Sequence, residues 1–195
     1  MKHNAPAVAL LGTSADPPSQ GHKVLLQSLC ANFPRVATWA SDNPLKQHAA
    51  PLNIRTQLLQ ALVDEIQCPE LSLEQGLSSP WAVTTLERAA ARWPDHRLIF
   101  VVGSDLAGQI PRWKQADQIL QRCTLAIAPR EGWPLEAASI ETLTALGGHV
   151  MPLDLSIPAS ASSTIRQAPV AEDIPTSVWP LLLKHNLYGL SGSVC

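Results

Sequence analysis

Short apolar runs alternate with amphipathic segments along the chain, and this alternation constrains the fold more than any other feature. The clearest run, residues 98–102 (LIFVV), is continuous and rich in β-branched residues, as in strands that are covered on both faces. Further strands are predicted at residues 7–11, 36–40, 71–73, 124–128 and 149–153. Strands that alternate with helices indicate a parallel α/β sheet with right-handed crossovers. The sequence therefore predicts a parallel sheet of about five to six strands with helices on both faces.

Helices are predicted between the strands, and many of the 17 prolines stand where an element should end. The first helix begins at Gly21-His22, and its apolar positions recur at helical spacing up to Phe33. A last amphipathic helix is predicted over residues 174–187, in which Pro180 favours a kink. The remaining helical segments cover residues 52–66, 82–93, a stretch ending near 122, 135–146 and 162–167.

Length and apolar content predict one domain over residues 1–195, in which residues 160–190 form a helical C-terminal part. No apolar run approaches the roughly 20 residues that span a bilayer. The apolar run near the N-terminus has about five residues, fewer than the seven or so of a signal peptide. The sequence thus predicts a cytoplasmic protein without a membrane partner.

Charge and cysteine spacing exclude other classes of protein. The formal net charge is −2, and because no long basic run occurs, a nucleic-acid polymer is not expected as a partner. Four cysteines are widely scattered without a Cys/His cluster, so they are interpreted as reduced thiols rather than as a zinc site or a disulfide framework. A homo-oligomer is compatible with the sequence.

The stretch of residues 7–26 (AVALLGTSADPPSQGHKVLL) indicates where a ligand binds. A predicted strand ends at Gly12, a loop of small residues follows, and a helix begins at Gly21-His22. Free backbone N–H groups and the positive end of the helix dipole make such a helix start suitable for an anion. In parallel sheets, ligands bind beyond the carboxyl ends of the strands. The turns expected at that edge are residues 12–22, 42–46, 103–105, 129–130 and 162–166.

Two of these turns carry the signatures of a known superfamily. Residues 12–22 (GTSADPPSQGH) resemble the first signature of the nucleotidyltransferase superfamily, and residues 162–166 (SSTIR) resemble the second. The segments in between are similar to motifs of bacterial nicotinate-nucleotide adenylyltransferases. These segments are NPLK at 43–46 with Arg55, PWAVTTLE at 80–87, GSD at 103–105, RWK at 112–114 and APREG at 128–132, followed by KHNLY at 184–188.

The resemblance implies a Rossmann-like fold and the joining of ATP to nicotinate mononucleotide, with release of pyrophosphate and with Mg²⁺ held by ATP and water. It implies no dedicated metal ligands. The implied catalytic residues are His22, Ser19, Lys46 and Arg166. The implied ATP-binding residues are Gly12, Thr13, Gly21, His22, Gly103, Asp105, Ser162, Ser163, Thr164 and Arg166. The implied mononucleotide-binding residues are Ser14, Lys46, Arg55, Trp81, Thr85, Trp113 and Arg130.

The chemistry of these residue types agrees with the implied reaction. The attacking phosphate oxygen is already anionic, so positioning and charge stabilisation are expected to lower the barrier. His22 can donate to the α-phosphate, and Arg166 at a helix start suits the β- and γ-phosphates. Trp81 and Trp113 offer flat faces for the nicotinate ring, and Thr85 offers a donor for its carboxylate.

Two alternatives remain open from the sequence. The acceptor can be nicotinamide mononucleotide or phosphopantetheine, although the GSD and RWK motifs are not expected in the pantetheine enzymes. The chain can also be a non-catalytic nucleotide-binding module. Ser19 favours this second alternative, because the superfamily usually has histidine or threonine at its position.

Overall fold

The computed structural model describes residues 5–43, 46–155, 157 and 162–191. Within this part of the chain, six strands form one sheet in the order β3-β2-β1-β4-β5-β6. All neighbouring strands run parallel. The strands are β1 (Ala7–Thr13), β2 (Val36–Ala40), β3 (Leu71–Leu73), β4 (Arg97–Gly103), β5 (Thr124–Ala128) and β6 (His149–Pro152). The predicted parallel α/β sheet is confirmed.

Helices cover both faces of the sheet. The α-helices are α1 (Gln20–Asn32), α2 (Leu52–Ile66), α3 (Ala82–Arg92), α4 (Ala116–Arg122), α5 (Ala137–Ala145), α6 (Ser162–Gln167) and α7 (Trp179–Lys184). Short 3-10 helices occupy Gln75–Leu77, Ser104–Arg112 and Ala171–Asp173. Successive β1 residues point to opposite faces. Ala9 therefore packs in the cluster of α1, α2 and the C-terminal segment, whereas Leu10 packs in the cluster of α3, α4 and α5.

The predicted C-terminal helix over residues 174–187 is wrong in its extent. The chain is extended at Ile174, and α7 begins only at Trp179. Pro180 thus lies in the first turn of α7, where the missing N–H group removes no helical hydrogen bond. The predicted kink does not arise. Ile174 and Val178 are buried in the α1–α2 cluster, which places the C-terminal segment beside the β1 end of the sheet.

The strand order creates a switch point between β1 and β4. The chain leaves β1 towards β2 and β3 on one side and returns to β4 on the other side. In open α/β sheets, a ligand crevice lies at this point, beyond the carboxyl ends of the strands. None of the helices within the described ranges is long and apolar enough to cross a membrane. The domain limits 1–195 stay a prediction.

Candidate active site

His22 lies at the switch point, held between the loop after β1 and its own helix start. Ser19 is the extended N-cap residue of α1, and His22 is the third residue of the helix. The backbone N–H of Ser19 donates to His22 Nδ1 at 3.1 Å, and the Ser19 hydroxyl lies 2.9 Å from the same nitrogen. His22 Nε2 lies 2.7 Å from Thr13 Oγ1, at the end of β1. Both ring nitrogens are therefore engaged.

These contacts define the proton position on His22. A backbone N–H can only donate, so Nδ1 is the acceptor and Nε2 carries the hydrogen of the neutral ring. Burial, with the nearby positive charges of Arg130 and then Lys46, lowers the pKa of His22 from 6.5 to about 4. Near neutral pH, the imidazole is thus a neutral donor through Nε2, which lies beside Thr13.

Ser19 contacts His22, the candidate catalytic residue, and is shielded from solvent. Ser19 is only 1% exposed, and both its hydroxyl and its backbone N–H contact Nδ1 of His22. This geometry makes Ser19 a positioning residue for His22 in the ligand-free protein. The sequence-based prediction of Ser19 as a phosphate donor is not supported by these contacts.

Asp16, in the loop that precedes α1, joins three segments of the chain. Its carboxylate accepts the N–H groups of Ala49 and Ala50 at 2.8 and 3.1 Å and the phenol of Tyr188 at 2.6 Å. The sequence analysis assigned no role to Asp16, which precedes Pro17 in the first signature. The KHNLY match at 184–188 was the available signal that the C-terminal tyrosine belongs to the site region.

The guanidinium of Arg55 is engaged with the fold, and its contact with the mononucleotide stays a prediction. The residue is 1% exposed, and its guanidinium donates to backbone carbonyls. Nε bonds to Ala50 at 3.0 Å, and Nη1 bonds to Ser14 and to Ser41 at 2.8 Å each. Burial lowers the pKa of Arg55, while Asp16 opposes this shift. Arg55 therefore fixes the loops after β1 and β2, and Ser14 contributes its carbonyl to this fixation.

The SSTIR segment lies against the same loop. Arg166 Nη1 donates to the carbonyl of Asp16 at 2.7 Å, and Ser162 Oγ donates to the carbonyl of Pro17 at 2.9 Å. Ser163 and Thr164 are exposed in the first turn of α6. The structure thus brings both sequence signatures together, although 150 positions separate Asp16 and Arg166.

Two glycines permit close packing at the carboxyl ends of β1 and β4. A Cβ on Gly12 would lie 2.8 Å from the ring of Trp39, and a Cβ on Gly103 would collide with the Asp105 carboxylate. That carboxylate pairs with Arg130 Nη1 at 2.7 Å. Asp105 and Arg130, predicted for different substrates, therefore contact each other across the ends of β4 and β5.

Ser104 links the carboxyl ends of β4 and β5. The sequence analysis did not predict this role. Its hydroxyl donates to the carbonyl of Trp133 at 2.6 Å and accepts the N–H of Arg130 at 3.0 Å. Because a serine next to a conspicuous GSD aspartate carries no distinctive signal, only the structure reveals this role.

The aromatic candidates lie beside α3 and α4. Trp81, the N-cap residue of α3, is 45% exposed, whereas Trp113 is partly buried against the α3–α4 cluster. Thr85 is buried, and its hydroxyl donates to the carbonyl of Leu77 at 3.0 Å. The Thr85 hydroxyl is thus engaged inside the ligand-free fold, and its donation to a nicotinate carboxylate stays a prediction.

The other predicted residues are placed as follows. Lys46 is exposed, and its charge reaches His22, while the Pro44 and Leu45 positions of the NPLK motif lie outside the described residues. Gly21 is buried in the first turn of α1. Across the described ranges, no group of three or more His, Cys, Asp or Glu side chains is placed to hold a metal ion.

A helix start with a neutral histidine and nearby cations, at the switch point of a parallel sheet, defines a nucleotide-binding α/β protein. A sequence model of the Cytidylyltransferase-like family matches residues 10–168. A probable nicotinate-nucleotide adenylyltransferase of Synechocystis is 36% identical over 93% of this chain and 98% of its own length. Its counterpart in Chlorobaculum tepidum is 30% identical over 92% and 97%. The chain belongs to the nicotinate-nucleotide adenylyltransferase family, a group of nucleotidyltransferases.

Solved structures agree with this fold. Nicotinic acid mononucleotide adenylyltransferase of Plasmodium falciparum, complexed with NaAD, has a TM-score of 0.79 at 16% identity, covering 95% of this chain and 98% of that chain. A putative nicotinate-nucleotide adenylyltransferase of Vibrio parahaemolyticus has a TM-score of 0.67 at 23% identity, covering 96% and 99%. The similarity of fold extends over nearly the full length of this chain.

Proposed function

We propose that this chain transfers the adenylyl group of ATP to nicotinate mononucleotide, forming nicotinate adenine dinucleotide and pyrophosphate. The observation that carries the proposal is the neutral His22 at the start of α1, with the charges of Lys46 and Arg130 in reach. The family membership supports the same reaction. The retained His22, Lys46 and Arg166 argue against the non-catalytic alternative.

The proposed step is an in-line displacement at the α-phosphorus. A phosphate oxygen of the mononucleotide forms a bond to this phosphorus, the bond to the bridging oxygen breaks, and pyrophosphate leaves with the electron pair. The nucleophile needs no general base because it is anionic. The protein is therefore expected to act through orientation and through donors directed at the developing charge.

His22 Nε2–H is the proposed donor to the α-phosphate. In the structure this hydrogen points to Thr13 Oγ1, which is itself a hydroxyl donor. A phosphate oxygen that takes the place between the two side chains would accept from both. Since Nδ1 stays bonded to the Ser19 N–H, the ring keeps its orientation during this exchange.

The remaining proposed contacts follow the edge of the sheet. Arg166 and the start of α6 are assigned to the β- and γ-phosphates, and the Gly103–Asp105 turn is assigned to the adenosine. Lys46 and Arg130 are assigned to the mononucleotide phosphate. Trp81 and Trp113 are assigned to the nicotinate ring.

Mg²⁺ is proposed to enter with ATP as part of the substrate. The Asp16 carboxylate accepts hydrogen bonds from Ala49, Ala50 and Tyr188, so its oxygens already serve the fold. Phosphate oxygens and water are therefore the proposed ligands of the ion. The cytoplasm stays the predicted location of the reaction.

A pyrophosphate-release assay tests the proposal. Purified wild-type protein and the His22→Ala variant receive ATP, Mg²⁺ and nicotinate mononucleotide, with nicotinamide mononucleotide and phosphopantetheine in parallel reactions. We expect rapid release with the nicotinate substrate and a loss of about 10²–10³-fold in the variant. Release no faster than that of the variant would refute catalysis, and a clear preference for another acceptor would refute the substrate assignment.

A further inference from the structure

The ammonium group of a lysine lies over the exposed ring of Trp81. Lys114 Nζ lies 4.8 Å from the centroid of this ring, within the range of a cation–π contact. Trp81 remains 45% exposed although it is a large apolar side chain. Among the described residues, the ion pairs of the protein do not include Lys114. The ammonium is thus paired with an aromatic face rather than with a carboxylate, which leaves it available to an anion.

The backbone on both sides holds this pair in place. Trp81 is the N-cap residue of α3, and its N–H donates to Ser79 Oγ at 3.2 Å. Lys114 lies in a turn closed by the bond from the Ala116 N–H to the Trp113 carbonyl at 3.2 Å. Gln115 adopts the left-handed conformation in this turn, with φ 57°. Trp113 anchors the turn through its contact with the α3–α4 cluster.

The pair lies where the chain emerges from the carboxyl ends of two strands. Trp81 follows β3 through the 3-10 helix Gln75–Leu77, and Lys114 follows β4 through the 3-10 helix Ser104–Arg112. In this architecture, ligands bind at that edge of the sheet. A ring that stacks on Trp81 therefore meets the Lys114 ammonium.

The two candidate mononucleotides differ in how they meet this pair. Both carry a positive pyridinium ring, which is attracted to an indole face. The nicotinate form also carries a carboxylate, which can pair with the ammonium while the pyridinium occupies the indole. In both forms the pyridinium competes with the ammonium for this face and is repelled by it, but the neutral amide of the nicotinamide form cannot offset this repulsion. A single cation can thus attract one substrate and disfavour the other.

We propose that Lys114, positioned on Trp81, determines the preference for the acid over the amide mononucleotide. This inference rests on the proposed function, since it concerns the ring subsite of the same reaction. In the proposed function, Trp81 and Trp113 stack on the nicotinate ring. Here it is the charge of Lys114, and not the flat surface of a ring, that distinguishes the acid from the amide.

Steady-state kinetics with both mononucleotides test the proposal. The ratio of kcat/KM for nicotinate mononucleotide to kcat/KM for nicotinamide mononucleotide is measured for wild type, Lys114→Met and Lys114→Arg. In Lys114→Met we expect the efficiency with the acid to fall and the efficiency with the amide to rise. The ratio should decrease about fivefold or more, as for loss of a partly screened ion pair together with loss of a repulsion. Lys114→Arg should keep the ratio, because it keeps the cation.

The control is Lys184→Met, which removes the same charge from the exposed last residue of α7. It should leave the ratio unchanged. If Lys114→Met lowers both efficiencies equally, or changes neither, the proposal is wrong, because a structural side chain would act on both substrates alike. A wild-type protein that makes no dinucleotide from nicotinate mononucleotide would instead refute the proposed function itself.

Discussion

The backbone N–H of Ser19 donates to Nδ1 of His22 at 3.1 Å, and this one bond assigns the ring hydrogen to the nitrogen beside Thr13. Because the donor is a backbone group, any residue other than proline at position 19 can make the same bond. The side chain at position 19 is thus less critical than its place in the signature motif suggests. This relationship is compatible with serine at a position where the superfamily signature that the sequence resembles usually has histidine or threonine.

Replacing Ser19 by alanine tests how much its hydroxyl adds. Ser19→Ala removes the 2.9 Å contact to His22 Nδ1 but keeps the backbone donor. We expect kcat to fall less than about tenfold, compared with about 10²–10³-fold for His22→Ala. The control is Ser28→Ala in the same helix. A loss in Ser19→Ala as large as that in His22→Ala would show that the hydroxyl contacts the reacting phosphate directly.

His22 should titrate far below an ordinary histidine. Burial, Arg130 and Lys46 lower its pKa from 6.5 to about 4. Proton NMR of the ligand-free protein should therefore show one imidazole signal with a midpoint near 4, which is absent in His22→Gln. A midpoint near the ordinary value would contradict the neutral donor proposed for neutral pH.

The same shift links stability to pH. Between about 6.5 and 4, the unfolded chain binds the His22 proton and the folded chain does not, so the free energy of unfolding decreases as pH falls through this window. The contribution is complete above the upper limit and amounts to at most about 3 kcal/mol. Urea unfolding of wild type and His22→Gln at pH 7 and pH 4.5 measures it. Equal pH dependence in the two proteins would contradict the prediction.

Replacing Arg55 should destabilise the fold. Arg55→Met removes the donor to the partly buried carbonyls of Ser14 and Ser41 and to the buried carbonyl of Ala50, and we expect the free energy of unfolding to fall by about 3 kcal/mol. Arg55→Lys should not restore it, because an ammonium cannot reproduce the guanidinium fork. Denaturant unfolding measures the loss, with exposed Arg35→Met as the control. Unchanged stability with a raised KM for the mononucleotide would instead favour a substrate contact.

Tyr188 should contribute to stability through one hydrogen bond. Its phenol donates to Asp16 at 2.6 Å, and burial and this carboxylate raise the pKa of the phenol. Because the phenol stays protonated, Tyr188→Phe removes a donor to a charged acceptor and should cost about 1.5–3 kcal/mol. Denaturant unfolding measures this cost, and Thr142→Val, which removes an exposed helical hydroxyl bond, is the control. A cost no larger than that of the control would contradict the role of this bond.

Most of the fold could be predicted from local patterns in the sequence. The run at 98–102 and the other apolar runs became strands, because continuous apolar segments must be covered on both faces. The C-terminal segment was less accessible, since the helical spacing over residues 174–187 did not reveal that the chain is extended at Ile174 and that α7 starts at Trp179. Element boundaries depend on packing partners that periodicity does not specify.

The site could be predicted only in part from the sequence. The same residue type can bind a ligand or stabilise the fold, and its burial decides between the two. Arg55 and Thr85 matched family motifs, yet both are buried and bonded to carbonyls. Asp16 had no predicted role, yet it accepts a bond from a tyrosine 172 positions away. Lys114 belongs to the RWK motif but had no predicted role, and only the structure places its ammonium over Trp81.

The sequence alone determined the alternation of strands and helices, the helix start at His22 and the two signatures, because each depends on residues close together in the chain. The tertiary structure decided the strand order, the joining of SSTIR to the first loop, and which polar side chains face inward. It did so because a polar group must find its partner once it leaves water, and that partner comes from whichever distant segment the sheet brings beside it.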